Sequence, residues 1–378
     1  MGSLSVKGLT ARYGKTVALH GIDLELADAE FFVILGPSGA GKTTTLKSVA
    51  GLVDGAQGEI RIAGRDMTGV EPYDRGVAMA FESYALYPQK TVEQNLASPL
   101  RSGRNGTWTP AQQAERIREV TTTLGIDHLL ARFPRELSNG QRQRTALGRV
   151  LVRPAEVYLL DEPLSHLDAK LRAAMRAELK QLGELSGTTT LYVTHDYQEA
   201  LALGDRIGVL RAGRMVQVGT PAQVWAEPVD TFVARALGQP EMNLLDAEVA
   251  AGVGHVGTAF AVGVPASEGP VRIGIRPRDL EIVDGPAPTD RLVLRGRVAL
   301  AERLGRSVEL LVDVSGVSVI AVTSDHRVRE GDEATLAVEW GRVHVFAPDG
   351  AGADGAGAGA RLGAGHRPED AALAGGAR

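Results

Sequence analysis

"GPSGAGKT", residues 36–43, stands between the apolar run "FFVIL" (31–35) and a helical pattern that ends at Gly51. Five apolar residues without polar alternation suit a strand buried on both faces. The loop itself has the spacing Gly, four residues, Gly-Lys-Thr. Glycines there let successive backbone N–H groups turn inward around phosphate oxygens, and the helix N-terminus behind them adds partial positive charge. Gly36, Pro37, Ser38, Gly39, Ala40 and Gly41 make the cradle. Lys42 is placed to reach the β and γ phosphates, Thr43 offers its hydroxyl to Mg²⁺, and Thr44 follows on the helix. A strand, this loop and a helix predict an α/β nucleotide-binding core.

Two further stretches extend that site. "VYLLDEP" (157–163) ends an apolar run on Asp161, which places a carboxylate at a strand's C-terminal edge, within reach of a magnesium shell. Glu162 beside it is a candidate general base for polarising a water. "LSNGQRQRTALGRVL" (137–151) reads as a helix started by Ser138, with Asn139, Gly140 and Gln141 in its first turn. One reading makes it a capped surface helix with Arg142 and Arg144 on a solvated face. The other makes it a second phosphate-recognising helix N-terminus in the same chain.

Composition limits the alternatives. The 378 residues allow two or three domains. The formal charge of −5 argues against a protein whose main task is coating nucleic acid. With no cysteine there is no disulfide, thiolate metal site or cysteine nucleophile. The opening "MGSLSVKGLTARYG" lacks the apolar core of a signal peptide, and no apolar run approaches the length of about 18 residues that crosses a bilayer. The expectation is a soluble intracellular protein unless a partner holds it at a membrane.

Along the chain, "LSVKGLTARYG" and "VALHGIDLELA" alternate as half-solvated antiparallel strands do. Residues 92–153 are mostly helical in pattern. "TTTLYVTHD" is another buried-strand candidate, and "DRIGVLRAGRMVQVG" a hairpin turning at Ala212-Gly213. After about residue 236 short Val-rich strands broken by Gly and Pro predict a small β-barrel or sandwich. Among residues 350–378, 19 of 29 are Gly or Ala, which predicts a disordered tail.

"GPSGAGKT", "LSNGQ", "YLLDEPLSHLD" and "VTHD", in that order and spacing, resemble the ATP-binding subunits of ABC transporters, densely from residue 4 to about 235. The resemblance implies an α/β P-loop ATPase domain over 1–235, with a mixed sheet core, an antiparallel β subdomain and a helical subdomain at about 88–153. It implies a head-to-tail dimer closing over two ATP molecules, each between the P-loop of one subunit and the "LSNGQ" helix of the other. Tyr13 then resembles the aromatic that stacks on adenine, with a packing tyrosine beside a turn as its alternative. Asp168 resembles the carboxylate at the dimer seam, and is also a candidate N-cap for helix 169–185. His195 resembles the switch histidine that contacts the γ-phosphate and holds water with Glu162, so that Lys42, Asp161, Glu162 and His195 form the catalytic set.

"GIRPRDLEI" (274–282) and "VHVFAPDG" resemble the all-β OB-like C-terminal domain of sugar-importer ATPases, here 236–348, leaving 349–378 as the tail. A carbohydrate, polyol or glycerol-phosphate solute is implied. Importers of polyamine, iron, molybdate or sulfate carry related domains, and a mainly regulatory role for the C-terminal domain is a further alternative. Arg276 and Asp279 read as surface charges in a turn. Membrane permeases would be direct partners and an extracytoplasmic solute-binding protein an indirect one, with the chain at the cytoplasmic face of the membrane. Tyr84, Leu86, Tyr87 and Pro88 form an apolar-aromatic cluster suited to receiving a permease helix, and a buried turn would look the same. A soluble ABC ATPase acting on DNA or the ribosome would typically show coiled-coil insertions or two fused cassettes, and neither is visible.

Three positions depart from the family pattern. Glu82 stands where Gln is usual, Asn139 where Gly is usual, and His166 where Asn is frequent. Gln to Glu keeps the shape but trades two N–H donors for negative charge, which suits a ligand of Mg²⁺ or of a bound water and repels phosphate oxygens. Asn139 tolerates a left-handed backbone, so the helix start survives. In a homodimer both sites carry Glu82 and Asn139; in a heterodimer a second, typical ATPase complements them. Glu82→Gln is expected to change the rate of hydrolysis or transport while nucleotide affinity moves little. Steady-state ATPase assays beside nucleotide titration check this, and a large affinity change would make Glu82 chiefly a magnesium or phosphate ligand.

Overall fold

The computed structural model describes residues 2–81, 86–101, 108–165, 167–266, 268–350 and 357–369, the side chains of 182–186 excepted. Glu82, Tyr84 and His166 lie outside the described residues, and with them the expectations attached to them. The chain divides into two compact units, Met1–Pro221 and Ala222–Arg378.

In the first unit, β1 (Leu4–Tyr13) and β2 (Thr16–Leu26) pair antiparallel and bury alternate residues, among them Leu4, Val6 and Leu9 against Leu24 and Leu26. The period of two gives one dry and one wet face. β3 (Phe31–Leu35) is buried throughout and leads through the Gly-rich loop into α1 (Lys42–Val49). β4 (Gln57–Ile62) and β5 (Arg65–Asp66) complete an antiparallel sheet ordered β2-β1-β4-β5.

After β6 (Val77–Ala80) come α2 (Val92–Ala97), α3 (Pro110–Thr123) and α4 (Asn139–Leu151). Each has a capping box built on Thr91, Thr109 or Ser138. β7 (Val157–Asp161), α5 (Ala169–Ser186), β8 (Thr189–Thr194), α6 (Tyr197–Leu203), β9 (Arg206–Arg211) and β10 (Arg214–Gly219) follow. The second sheet runs β10-β9-β3-β8-β7-β6, parallel except for the β9–β10 hairpin. Leu46 and Val49 of α1 pack with Phe32, Ile34, Leu159, Val193 and the inner residues of β1 into one core. Each fully buried side chain of this kind contributes about 1.5–3 kcal/mol.

The second unit starts at Ala222 and takes in all but the first residue of α7 (Pro221–Ala226), then α8 (Thr231–Ala236). It continues through β11 (Asn243–Ala250), β12 (Val253–Val256), β13 (Phe260–Gly263), β14 (Gly269–Ile275) and β15 (Glu281–Ile282). The remaining strands are β16 (Leu292–Leu304), β17 (Ser307–Val314), β18 (Val317–Thr323), β19 (Glu333–Val338), β20 (Val343–Phe346) and β21 (Arg361–Ala364). They form two antiparallel sheets, β13-β12-β11-β14-β20-β21 and β15-β19-β16-β17-β18, around an aliphatic core.

The structure moves three sequence readings. The break between units falls at the start of α7, earlier than 235/236, because α7 and α8 are tied to the β unit. Arg276 donates to the Leu237 and Trp225 carbonyls and stacks 3.8 Å over the Trp225 ring, while Ala234 packs with Met242 and Phe346. Arg276 is therefore a buried clamp, 3% exposed, and not a surface charge. Asp279, half-buried, accepts from Arg342 at 2.7 Å.

The Gly/Ala-rich tail is ordered in part. β21 pairs with β20, and His366 exchanges backbone hydrogen bonds of 2.8 and 2.9 Å with Gly263 at the end of β13. The two edges of the six-stranded sheet thus meet. Smallness is what this segment supplies: a Cβ on Gly365 would come within 2.7 Å of the Val262 side chain, and one on Gly263 within 2.6 Å of the His366 ring. Composition signalled disorder where close approach required Gly.

His344, on β20, is 4% exposed. Burial, reinforced by the Arg276 and Arg361 guanidinium groups, pulls its imidazole down from 6.5 to about 4. Between those values the unfolded chain binds a proton that the folded unit refuses. The contribution is complete above pH 6.5 and is lost as pH falls toward 4, on the order of 3 kcal/mol. Thermal unfolding of the second unit is expected at lower temperature as pH falls from 7 to 4.5, and His344→Gln should flatten that slope. An unchanged slope would place the proton uptake on another residue.

Candidate functional site

Parallel pairing of β3, β8 and β7 sets Leu35 beside Thr194 and Asp161 beside Val193. The ladder continues one residue beyond the strands, with Gly36 N–H donating to the Thr194 carbonyl at 3.3 Å and Glu162 N–H to the Val193 carbonyl at 3.1 Å. Three chain segments therefore leave the sheet at one edge. Gly36 is required because a Cβ there would stand 2.5 Å from the Leu210 carbonyl oxygen. Gly41, at φ 106°, turns the loop into α1. Pro37, Ser38 and Gly39 are exposed, while Ala40 is buried and its N–H donates to the Pro37 carbonyl at 3.2 Å.

Lys42 Nζ donates to the Gly36 and Pro37 carbonyls at 2.8 and 3.1 Å and lies 3.2 Å from Glu162 Oε1. The other carboxylate oxygen, Oε2, is 2.7 Å from His195 Nδ1. Thr43 Oγ1 donates to Asp161 Oδ1 at 3.0 Å. Lys42 and Asp161 are buried, whereas the His195 side chain is 56% exposed. Glu162 takes φ 43°, a left-handed conformation that costs a non-glycine residue roughly 1–3 kcal/mol and tends to occur at functional sites. Thr44, half-buried, follows on the same turn.

Behind His195 lies a polar group that the sequence reading missed. Glu199, 3% exposed, accepts from the Tyr192 and Thr194 hydroxyls at 2.8 Å each. Burial raises its carboxyl, and the two hydroxyl bonds oppose that rise. Arg172 Nη1 donates to Asp196 Oδ2 at 3.3 Å, and Asp196 N–H to Thr194 Oγ1 at 2.9 Å. Arg172 looks like one more cation on an amphipathic helix, and only the fold brings it to residues 194–199. Gln143 was likewise missed; it is buried in α4 and donates to the Pro163 carbonyl.

The other expected residues lie apart from this cluster. Tyr13 ends β1 and is 51% exposed, so it is a surface aromatic and not a packed one. Ser138 caps α4, its hydroxyl accepting from Gln141 N–H at 3.3 Å while Gln141 Oε1 accepts from Ser138 N–H at 3.0 Å. Asn139 is the first residue of α4 and has no positive φ, so its left-handed tolerance is not called upon. Gly140 sits against Leu167, whose Cδ2 would be 3.2 Å from a Cβ. Asp168 does cap α5: its Oδ1 accepts from Leu171 N–H at 2.9 Å.

A strand-loop-helix with this lysine, followed by a carboxylate pair and a histidine on neighbouring strand ends, defines a P-loop nucleotide-binding ATPase. The ABC transporter family model matches residues 19–165, and the TOBE domain model residues 273–346. The sn-glycerol-3-phosphate import ATP-binding protein of Rhizobium johnstonii is 41% identical over 357 residues, 92% of this chain and 95% of that protein. The trehalose/maltose import ATP-binding protein of Thermococcus litoralis is 42% identical over 367 residues, 88% and 94% of the two chains. Among solved structures, a dimeric bacterial ABC transporter cassette superposes with TM-score 0.53 at 28% identity, covering 58% of this chain and 98% of that one. A post-hydrolysis dimer of that cassette bound to ADP and Pi gives the same values. The chain belongs to the family of ABC import ATP-binding proteins, and its activity is ATP hydrolysis.

Gly36→Ala is expected to lower stability of the first unit by about 1–3 kcal/mol and to weaken nucleotide binding, because the loop must move off the Leu210 carbonyl. Thermal melts and nucleotide titration check this. Unchanged values would mean that the Leu210 segment yields instead.

Proposed function

We propose that this chain hydrolyses ATP to drive import of a carbohydrate or glycerol-phosphate solute through separate membrane permeases. The observation that carries the proposal is the convergence on Glu162, with Lys42 at 3.2 Å and His195 at 2.7 Å beside the Thr43–Asp161 pair. The solute class rests on the named substrates of the relatives.

Thr43 and Asp161 present two oxygens 3.0 Å apart on neighbouring elements, the hard-ligand chemistry that Mg²⁺ takes with one carboxylate and substrate phosphates. No cluster of three or more His, Cys, Asp or Glu residues competes for it among the described residues. When bound, the ion would supply charge neutralisation at the phosphates. Lys42 would bind the β and γ phosphates, with Gly36 to Thr44 wrapping them. Glu162 would accept the proton of the attacking water, and His195, hydrogen-bonded to Glu162 and open to the outside, would hold that water against the γ-phosphate. Tyr13 would stack on adenine.

Two cassettes would complete each site. Ser138, Asn139, Gly140 and Gln141 would face the ATP held by the other subunit, with Asp168 at the seam. The second cassette is either a copy of this chain or a distinct ATPase. Glu82 would join the metal or water shell. Leu86, Tyr87 and Pro88, of which Tyr87 and Pro88 are exposed, would meet a permease helix and hold the chain at the cytoplasmic face of the membrane. No helix among the described residues is long and apolar enough to cross a membrane.

Glu162→Gln should reduce turnover by about 10²-fold or more, the scale of a lost general base, while ATP binding persists and a nucleotide-bound dimer accumulates. ATPase assays with size-exclusion chromatography in Mg-ATP check it, and full activity in that variant would remove Glu162 from its role.

A further inference from the structure

Glu162 and His195 meet through a single 2.7 Å contact, and His195 is exposed. The two residues sit on separate loops, after β7 and after β8, so something must fix the distance between the loops. The ladder bond from Glu162 N–H to Val193 ties them only at their roots. Farther out, the loop after Glu162 folds on itself: Ser165 donates from N–H and Oγ to the Glu162 carbonyl at 3.2 and 3.0 Å, and Leu167 N–H donates to the Leu164 carbonyl at 3.2 Å. Leu167 is where this folded loop meets α5.

We propose that Arg172 is a positioning residue for hydrolysis, clasping the Glu162 loop to the His195 loop. Its Nη2 donates to the Leu167 carbonyl at 3.0 Å and its Nη1 to Asp196 Oδ2 at 3.3 Å. Asp196 is bonded directly to His195, and its N–H is held by Thr194 Oγ1. The contacts close a ring: Glu162 to His195, along the chain to Asp196, through the guanidinium to Leu167, and back along the chain to Glu162. Every link in it is a hydrogen bond or a short run of backbone.

The surroundings aim the guanidinium. Arg172 Nε lies 4.0 Å from Glu199 Oε1 and makes no hydrogen bond of its own, so Glu199 acts on it as a charge. Glu199 in turn is pinned by Tyr192 and Thr194. Arg172, Glu199, Asp196, Thr194, Ser165, His195 and Glu162 line a polar pocket of about 20 Å³, room for one water-sized molecule. A planar fork with two directed donors can span carbonyl and carboxylate at once, which an ammonium point charge cannot do in the same geometry. Arg172 itself bonds to Leu167 and Asp196 and to neither the phosphate loop nor Lys42, so its loss should act on the chemical step more than on nucleotide affinity.

The inference rests on the ATPase roles proposed for Glu162 and His195. Its test compares purified wild-type chain with Arg172→Met and Arg172→Lys, measuring kcat, nucleotide Kd and melting temperature in Mg-ATP. Displacing a reacting group by about 1 Å can cost on the order of 10²-fold. Arg172→Met is accordingly expected to lower kcat by about tenfold or more with Kd unchanged within about twofold, and Arg172→Lys to fall between it and wild type. A lysine variant with full kcat would overturn the clasp, since charge alone would then suffice. Parallel losses of Kd and melting temperature would also overturn it, as the mark of a purely structural role. Wild-type chain without turnover would instead overturn the ATPase roles on which it rests.

Discussion

Two backbone hydrogen bonds onto β8, Gly36 to Thr194 and Glu162 to Val193, carry the parallel ladder one residue beyond β3 and β7. The rest of the first unit depends on that short extension. It forces the glycine loop, the carboxylate pair and the histidine loop to leave the sheet side by side. The glycine loop is more than 100 positions from the carboxylate pair in sequence, and the histidine lies 33 beyond Glu162, yet no flexible side chain has to reach far. The apolar strands supply the rigidity: β3, β7 and β8 are buried at every position, so register cannot slip without moving an entire face out of the core.

Charge at the strand ends is kept by mutual pairing. Lys42 is 6% exposed and its partner Glu162 17%. A buried ion pair of this kind contributes little to net stability, because desolvation offsets the attraction, but removing one partner leaves an uncompensated charge. Lys42 reduces that exposure to error by also donating to two loop carbonyls. The pair is therefore an arrangement for chemistry that the fold tolerates. The left-handed backbone at Glu162 points the same way: strain is accepted where the direction of a carboxylate matters.

The sequence made the loop, Asp161, Glu162 and the α4 start legible because each is a local pattern with local physics: a phosphate cradle, an apolar run ending in acid, a capping box. It also made the hairpins and Val-rich strands legible through their period of two. What it hid were long-range pairings. Arg276 lies in a polar turn, "RPRD", and only the packing of α7 and α8 buries it. Arg172 and Glu199 meet because α5 packs against α6, which itself packs on β3 and β8. The tail misled for a different reason, since Gly and Ala are read as lack of core but also permit backbones to touch.

The two units solve edge exposure in contrasting ways. In the first, the hairpin strand β10 covers one side of the parallel sheet. In the second, closure does the work, with β21 and His366 joining β20 to β13 so that neither edge of that sheet stays open. Ordering a Gly-rich segment for this closure is entropically demanding, because glycine loses more conformational freedom on folding than other residues. Side chains in this segment could bury apolar area only by pushing the strands apart. Small residues exchange that area for complete backbone pairing, and Thr231 and Asp349 add bonds of 3.0 Å each to Gly359 N–H where the segment enters. The closing strand is thus held by backbone hydrogen bonds, and its one large apolar side chain, Leu362, stays exposed.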